Sequence, residues 1–200
     1  MLDELKAQLE SQFSLSPILW GEMSMRAKQI DVRKNEILIP YRSRIRAAHI
    51  IISGSFKQSI IDSSGKQAST WFFSKDICNV ATCLDSYILN EHTKYEVIAL
   101  EDSVVFQIQK ESVDNWADRS KEFNRFYRED IMRSFFLATE IRAQMVSNSP
   151  KDFIRYLWTN YPYILKKVPS KYMAEFIGIT PEWFSKLNKI IVSESATTLN

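Results

Sequence analysis

Apolar positions change their spacing twice along the chain. Leu2, Leu5, Leu9 and Phe13 recur at helical intervals and predict a helix over 2–20. From about 28 to 109 that period gives way to short β-rich runs: EILIPY, AAHIIIS, SFKQSIID, ASTWFF, YEVIAL and SVVFQI. Turn residues divide them. Ser53-Gly54 and Asp62–Gly65 are the clearest, and the second predicts a hairpin. Pro40 suits a strand end or edge, where a missing N–H costs no ladder bond. Short strands at this spacing predict a barrel or sandwich. After residue 110 no strong strand signal remains. Residues 119–147 place Phe123, Phe126, Tyr127, Ile131, Phe135, Leu137, Ala138, Ile141 and Met145 at helical spacing. Their arc is wider than one core contact needs. One face is therefore expected on the β domain and the other on a second copy of the chain, giving a homodimer through 119–147.

Ser147-Asn148-Ser149-Pro150 interrupts this helix, and Pro150 can open the next at its first turn. DFIRYLWTNYP predicts a short helix that stops before Pro162. The fold class expected is α+β in three parts: a helix and β domain over 1–118, a dimerisation helix over 119–148, and a helical unit over 149–200.

The last part holds the most specific motif, SKYMAEFIGITPEWFSKLNKI. Counted from Ser170, Ala174 is fifth, Gly178 ninth, Phe184 fifteenth and Leu187 eighteenth. This is a helix-turn-helix pattern with a steric cause at each place. Two helices cross closely at the fifth position, so it is small. The ninth lies in a tight turn of positive φ, which Gly adopts without strain. Met173, Ile177 and Ile179 supply apolar contacts between the helices. Thr180 can cap the second helix, and Pro181 fits its first turn, where no amide donor is needed. The outward residues are polar, as a helix entering a DNA major groove requires. Contacts with double-stranded DNA are expected from Lys171, Thr180, Pro181, Glu182, Trp183, Ser185, Lys186, Asn188 and Lys189. Trp183 is large for a groove surface and fits equally well in a local core.

The formal charge of +2 says little, but its distribution adds something. Residues 150–200 hold seven basic against four acidic side chains, the remainder nineteen against twenty. No apolar run reaches the roughly 20 residues of a membrane span. The acid-bearing N-terminus is not a targeting peptide, so a cytoplasmic protein is expected. Cys78 and Cys83 are too few for a disulfide framework and lack metal-ligand spacing; both read as small buried thiols. His49 sits in an apolar run and reads as a core residue, while His92 lies in the polar stretch NEHTK. No nucleophile elbow, P-loop, dinucleotide fingerprint or zinc-protease motif occurs, so no enzyme, cofactor or metal is expected.

A β domain, a long helix and a C-terminal helix-turn-helix, in that order, resemble the CRP/FNR family of bacterial transcription regulators. IIISGSFKQSIIDSSGKQASTWFF and YEVIALEDSVVFQI look like that family's cyclic-nucleotide-binding β-roll, a jelly roll. YLWTNYPYILKKVPSKYMAEFIGITPEWFSKLNK resembles its DNA-binding domain, in the short form of Bacteroidetes-type members. The resemblance implies a homodimer on a palindromic operator. It also exposes departures. Cyclic-nucleotide binders carry Gly-Glu and, further on, Arg; here those places fall near Asn79-Val80 and Thr93, with Lys94 alongside. Without Gly, acid and Arg fork the site is not expected to hold a cyclic phosphate. Any other effector, or none, would involve Asn79, Val80, Leu84, Thr93 and Lys94. Ile77, Val80, Leu84, Tyr87 and Ile88 read either as its apolar lining or as plain core. In the reading helix, Pro181, Glu182 and Lys186 stand where many relatives have Arg, Glu and Arg, which implies a different DNA preference. Few residues follow, so a β-hairpin wing is not expected. The rival reading is a small-molecule-sensing or protein-interaction module whose helix-turn-helix is structural only.

Overall fold

Two four-stranded antiparallel sheets make up the N-terminal half of the computed structural model, which describes residue 6, residues 16–61, residue 65 and residues 67–197. The strands are β1 (Lys28–Val32), β2 (Ile37–Ile39), β3 (Ala47–Ser53), β4 (Ser55–Ile61), β5 (Gln67–Ser74), β6 (Val80–Ala81), β7 (Tyr95–Ala99) and β8 (Ser103–Gln109). One sheet runs β1-β8-β3-β6 and the other β2-β7-β4-β5. Apart from the β4–β5 pair, consecutive strands pass between the sheets, as in a jelly roll. Register follows the period of two. Ile51 faces Val105 across β3 and β8, and both join Val32, Ile39, Phe56, Phe73 and Val97 in the cluster between the sheets. Their neighbours Ile50 and Phe106 are also paired, and they bury in a second cluster with Leu19, Met23, Val113, Trp116 and Phe123.

Three helices serve the roll. α1 (Pro17–Arg26) starts at Ser16, whose hydroxyl accepts from Leu19 N–H at 3.3 Å. It extends past the predicted end at residue 20; of the expected N-terminal helix, Leu2, Leu5, Leu9 and Phe13 lie outside the described residues. α2 (Leu84–Leu89) follows β6, and α3 (Lys110–Arg119) follows β8. The long helix α4 spans Lys121–Ser147 rather than beginning at 119. Ser120, in extended backbone at φ −118°, ends α3 and caps α4 by accepting from Phe123 N–H at 3.2 Å. α4 enters every cluster: Phe123 the second, Tyr127 the first two, and Ile141, Leu137 and Met145 a third in the C-terminal part.

That third cluster holds α5 (Pro150–Asn160), α6 (Pro162–Lys167), α7 (Ser170–Ile177) and α8 (Pro181–Thr197) together. Ser149 caps α5 and Pro150 stands in its first turn. Pro162 does more than stop α5: it opens α6, whose missing amide would have been an orphan anyway. α7 packs on strand β5 of the roll. Phe176 meets Phe72 edge-on at 5.5 Å between centroids, and Ser69 donates to Glu175 at 2.8 Å. The buried Lys57 ammonium lies over the Tyr172 ring at 4.0 Å. Burial pulls that ammonium below its usual pKa, and Glu175 pulls it back up.

His49 is 5% exposed in β3, hydrogen-bonded through Nδ1 to Ala81 O at 3.3 Å and through Nε2 to the Gln107 amide at 3.1 Å. Burial pushes its pKa down to about 4, against a smaller opposing pull from the Ala81 carbonyl. The unfolded chain takes up this proton below about 6.5, while the folded chain stays neutral. The stability tied to His49 is thus full above that pH and drains away as pH falls towards 4. Comparing melting temperatures from pH 7 to 4, wild type is expected to lose up to about 3 kcal/mol more than His49→Gln; parallel curves would contradict the assignment. Two glycines should also separate. Gly54 sits at φ +92°, and a Cβ there would lie 2.0 Å from Ser103 Oγ and 2.8 Å from its Cα. Gly178 sits at φ +80° with nothing within 4 Å. By urea unfolding, Gly178→Ala is expected to cost about 1 kcal/mol and Gly54→Ala about 3 kcal/mol or more.

Candidate nucleic-acid interface and ligand cavity

The turn between α7 and α8 is closed by backbone bonds that only a positive φ permits. Gly178 N–H donates to Glu175 O at 3.3 Å and to Ala174 O at 2.9 Å, and Ile179 N–H reaches Ala174 O at 3.0 Å. Thr180 then caps α8, accepting at its Oγ1 from Trp183 N–H at 3.2 Å, with Pro181 in the first helical place. Met173, Ala174, Phe184 and Leu187 are buried where the two helices cross, together with Ile191 from α8 and Phe153, Ile154 and Leu157 from α5. Each of the larger side chains contributes roughly 1.5–3 kcal/mol by leaving water, and their packing sets how α8 stands on α7 and α5.

The face α8 turns outward carries Thr180, Pro181, Glu182, Trp183, Ser185, Lys186 and Lys189, all exposed, with Lys171 on α7. Lys186 and Lys189 form no ion pair among the described residues. The Lys186 ammonium lies 5.5 Å from the Trp183 ring, and Trp183 is 46% exposed, so it belongs to this surface and not to a core. Asn188 does not belong with them. It is half-buried, and its Oδ1 accepts from Trp158 Nε1 at 2.7 Å, so it ties α8 to α5. The spacing Phe184, Leu187, Asn188, Ile191 was the available signal, because it puts Asn188 on the inward arc. Basic groups further back are already engaged. Arg155 and Lys151 bind Glu194 at 2.9 and 2.6 Å, and Lys167 lies 3.6 Å from Glu101 of the roll. α8 also runs well past Ile190, to Thr197.

The second feature is a cavity of about 480 Å³ between the roll and helices α3 and α4. Asn79, Val80 and Leu84 line it, as does Tyr87. Ile77 packs instead against the C-terminal cluster, and Ile88 is 51% exposed. Thr93 and Lys94 do not reach it. Thr93 is 1% exposed and donates to Asp85 Oδ1 at 3.2 Å; Lys94 is exposed and gives its backbone N–H to Asp85 Oδ2 at 3.1 Å. Asp85 thereby gathers the donors of that turn around a carboxylate. A phosphate brought there would meet like charge. The residues missed by sequence reading come from the far side, on α4: Tyr127, Asp130, Ser134 and Phe135 line the cavity too. Trp71 of β5 lines it as well, next in sequence to the Phe72 on which α7 sits.

Residues 29–120 match the family model of the cyclic nucleotide-binding domain. No curated protein matches the sequence. Solved structures match along nearly the whole chain. FixK2 from Bradyrhizobium japonicum is 12% identical with a TM-score of 0.70, covering 84% of this chain and 86% of that one. A protein from Eubacterium rectale, described as a crp/fnr-family transcriptional regulator, is 14% identical with a TM-score of 0.67, covering 90% and 85%. CLP from Xanthomonas campestris, a c-di-GMP responsive global regulator, is 11% identical with a TM-score of 0.63, covering 88% and 91%. The chain has the CRP/FNR fold.

Within that fold the roll, α4 and the α7–α8 unit take the order the sequence resemblance implied. No helix among the described residues is long and apolar enough to cross a membrane. The cavity differs from a phosphate site in kind. Both charged groups lining it, Asp85 and Asp130, are carboxylates, and its walls are mostly apolar, with several aromatic rings. Burial holds the Asp130 carboxyl above the usual range, opposed by Arg133. Burial likewise raises Tyr87 and Tyr127.

Proposed function

We propose that this chain is a homodimeric DNA-binding transcription regulator of the CRP/FNR type, acting in the cytoplasm, whose roll cavity takes an effector other than a cyclic nucleotide. The observation that carries it is the free polar and basic face of α8, standing out beyond Gly178 while α7 is seated on the roll. The labour divides as roll to residue 118, pairing helix over 119–148 and DNA-binding unit over 149–200. Lys186 and Lys189 meet phosphates and base edges, Lys171 and Lys166 the flanking backbone, and Thr180, Glu182 and Ser185 the groove. Two copies would set their α8 helices about 34 Å apart on a palindromic site.

Support for pairing comes from α4. Met132, Phe136, Thr139, Ala143 and Val146 are exposed at alternating steps of four and three, a seam of the kind two parallel helices share. Met132 is 49%, Phe136 60% and Val146 72% exposed, too much apolar surface in one line for a helix that stays wet on that side. The exposed Trp183 favours one rival, a protein-docking surface. The two readings part on charge.

Anisotropy with duplexes from upstream of its own and neighbouring genes, across a salt series, tests the DNA reading. Wild type is expected to bind with affinity falling steeply with salt. The double change Lys186→Glu and Lys189→Glu is expected to weaken binding by about 100-fold or more and to flatten the salt slope, with an unchanged circular dichroism spectrum. Salt-insensitive behaviour, or no binding to any duplex, ends this reading in favour of the docking surface. For pairing, Phe136→Glu is expected to shift sedimentation from dimer to monomer while the fold survives; a variant that stays dimeric places the seam elsewhere.

A further inference from the structure

We propose that the effector cavity takes a small aromatic amine, a cation carried on an apolar ring system, and discriminates against anions. This rests on the reading of the cavity as the effector site. The first ground is charge. Of its two carboxylates, Asp85 is spent within its own turn, accepting from Ser86 N–H at 2.8 Å as well as from Thr93 and Lys94. Asp130 has no hydrogen-bond or ion-pair partner among the described residues, and no lysine or arginine lines the space to meet it. Arg133, on the same helix, acts on Asp130 but forms no ion pair with it among the described residues and lies outside the lining. Lys110, over the Tyr87 ring at 5.3 Å, is also outside the lining and is bound to Asp114 at 2.6 Å.

A second ground is unmet hydrogen bonding. Tyr87 is 3% exposed and its hydroxyl finds no partner; the Thr82 hydroxyl is also buried and unpaired. Both residues line the cavity. Buried polar groups in folded proteins are nearly always paired, so two orphans in the lining of one cavity are open to a ligand's polar head. The third ground is the walls. Trp71, Trp116, Phe126 and Tyr127 present rings to the same space, and ring faces attract a cation while accommodating a flat apolar body. A carboxylate, two hydroxyls and aromatic walls form an ammonium site. A cation placed beside Asp130 would favour its ionised form and so oppose the effect of burial on its carboxyl.

Calorimetry on the full-length protein at neutral pH can use three probes of one shape: naphthylethylamine, naphthylethanol and naphthylacetate, with cyclic AMP as a fourth. The amine is expected to bind about tenfold or more tighter than the acid, with the alcohol between and no heat from cyclic AMP. Asp130→Asn is expected to bring amine and alcohol within about twofold of each other, and Asp130→Glu to keep the preference. Tyr87→Phe is expected to weaken amine and alcohol alike. Tight binding of the acid or of cyclic AMP, an amine preference that survives Asp130→Asn, or no binding by any probe overturns the proposal. DNA anisotropy of the unliganded protein is read separately, so failure there bears on the regulator reading and leaves the cavity result intact.

Discussion

One helix decides how this molecule is put together. α4 is 27 residues long and supplies a buried or half-buried side chain to each of the three apolar clusters. Phe123 closes the outer face of one sheet, Tyr127 bridges towards the space between the sheets, and Ile141 belongs to the C-terminal helices. A rigid rod shared in this way couples parts that would otherwise be independent units on a linker. It also has surface left over. The side facing the roll closes the cavity, while Met132, Phe136 and Val146 point away from every described element. The same helix therefore carries a wall, a joint and an unpaired seam, and these three demands explain why its apolar arc is too broad for a single contact.

Those demands also explain what the sequence could and could not reveal. The turn at Gly178 was readable because its chemistry is local: a positive φ, a small residue four places before, Thr and Pro directly after. The strands were readable for the same reason, since alternation is written into consecutive residues. α3 was harder to see. KESVDNWADR offers Val113 and Trp116 one turn apart amid charges, follows β8 with no break, and shows its period only once its partners on α1 are known. Pro162 marked the end of α5 as expected but did not reveal α6, because a proline that ends one helix is equally fit to begin the next.

The cavity was the least legible part, and for a geometric reason. Its polar groups come from segments far apart in the chain, Thr82 and Tyr87 beside the roll and Asp130 and Ser134 on α4. Nothing about Asp130 in sequence distinguishes it from a solvated position on a charged helix. What sets it apart is the direction in which α4 lies, fixed by Phe123 and Ile141 at its two ends. Thr93 and Lys94 show the converse. They occupy the places a family pattern would single out, yet both are bonded to Asp85 and neither reaches the space that Asp85 itself borders.

Strand β5 carries a consequence of its own. Trp71 borders the cavity and Phe72, the next residue, is the seat of α7. The cavity and the seat of α7 therefore share a boundary one peptide unit wide, so the wall of one compartment is also part of the foundation of the other.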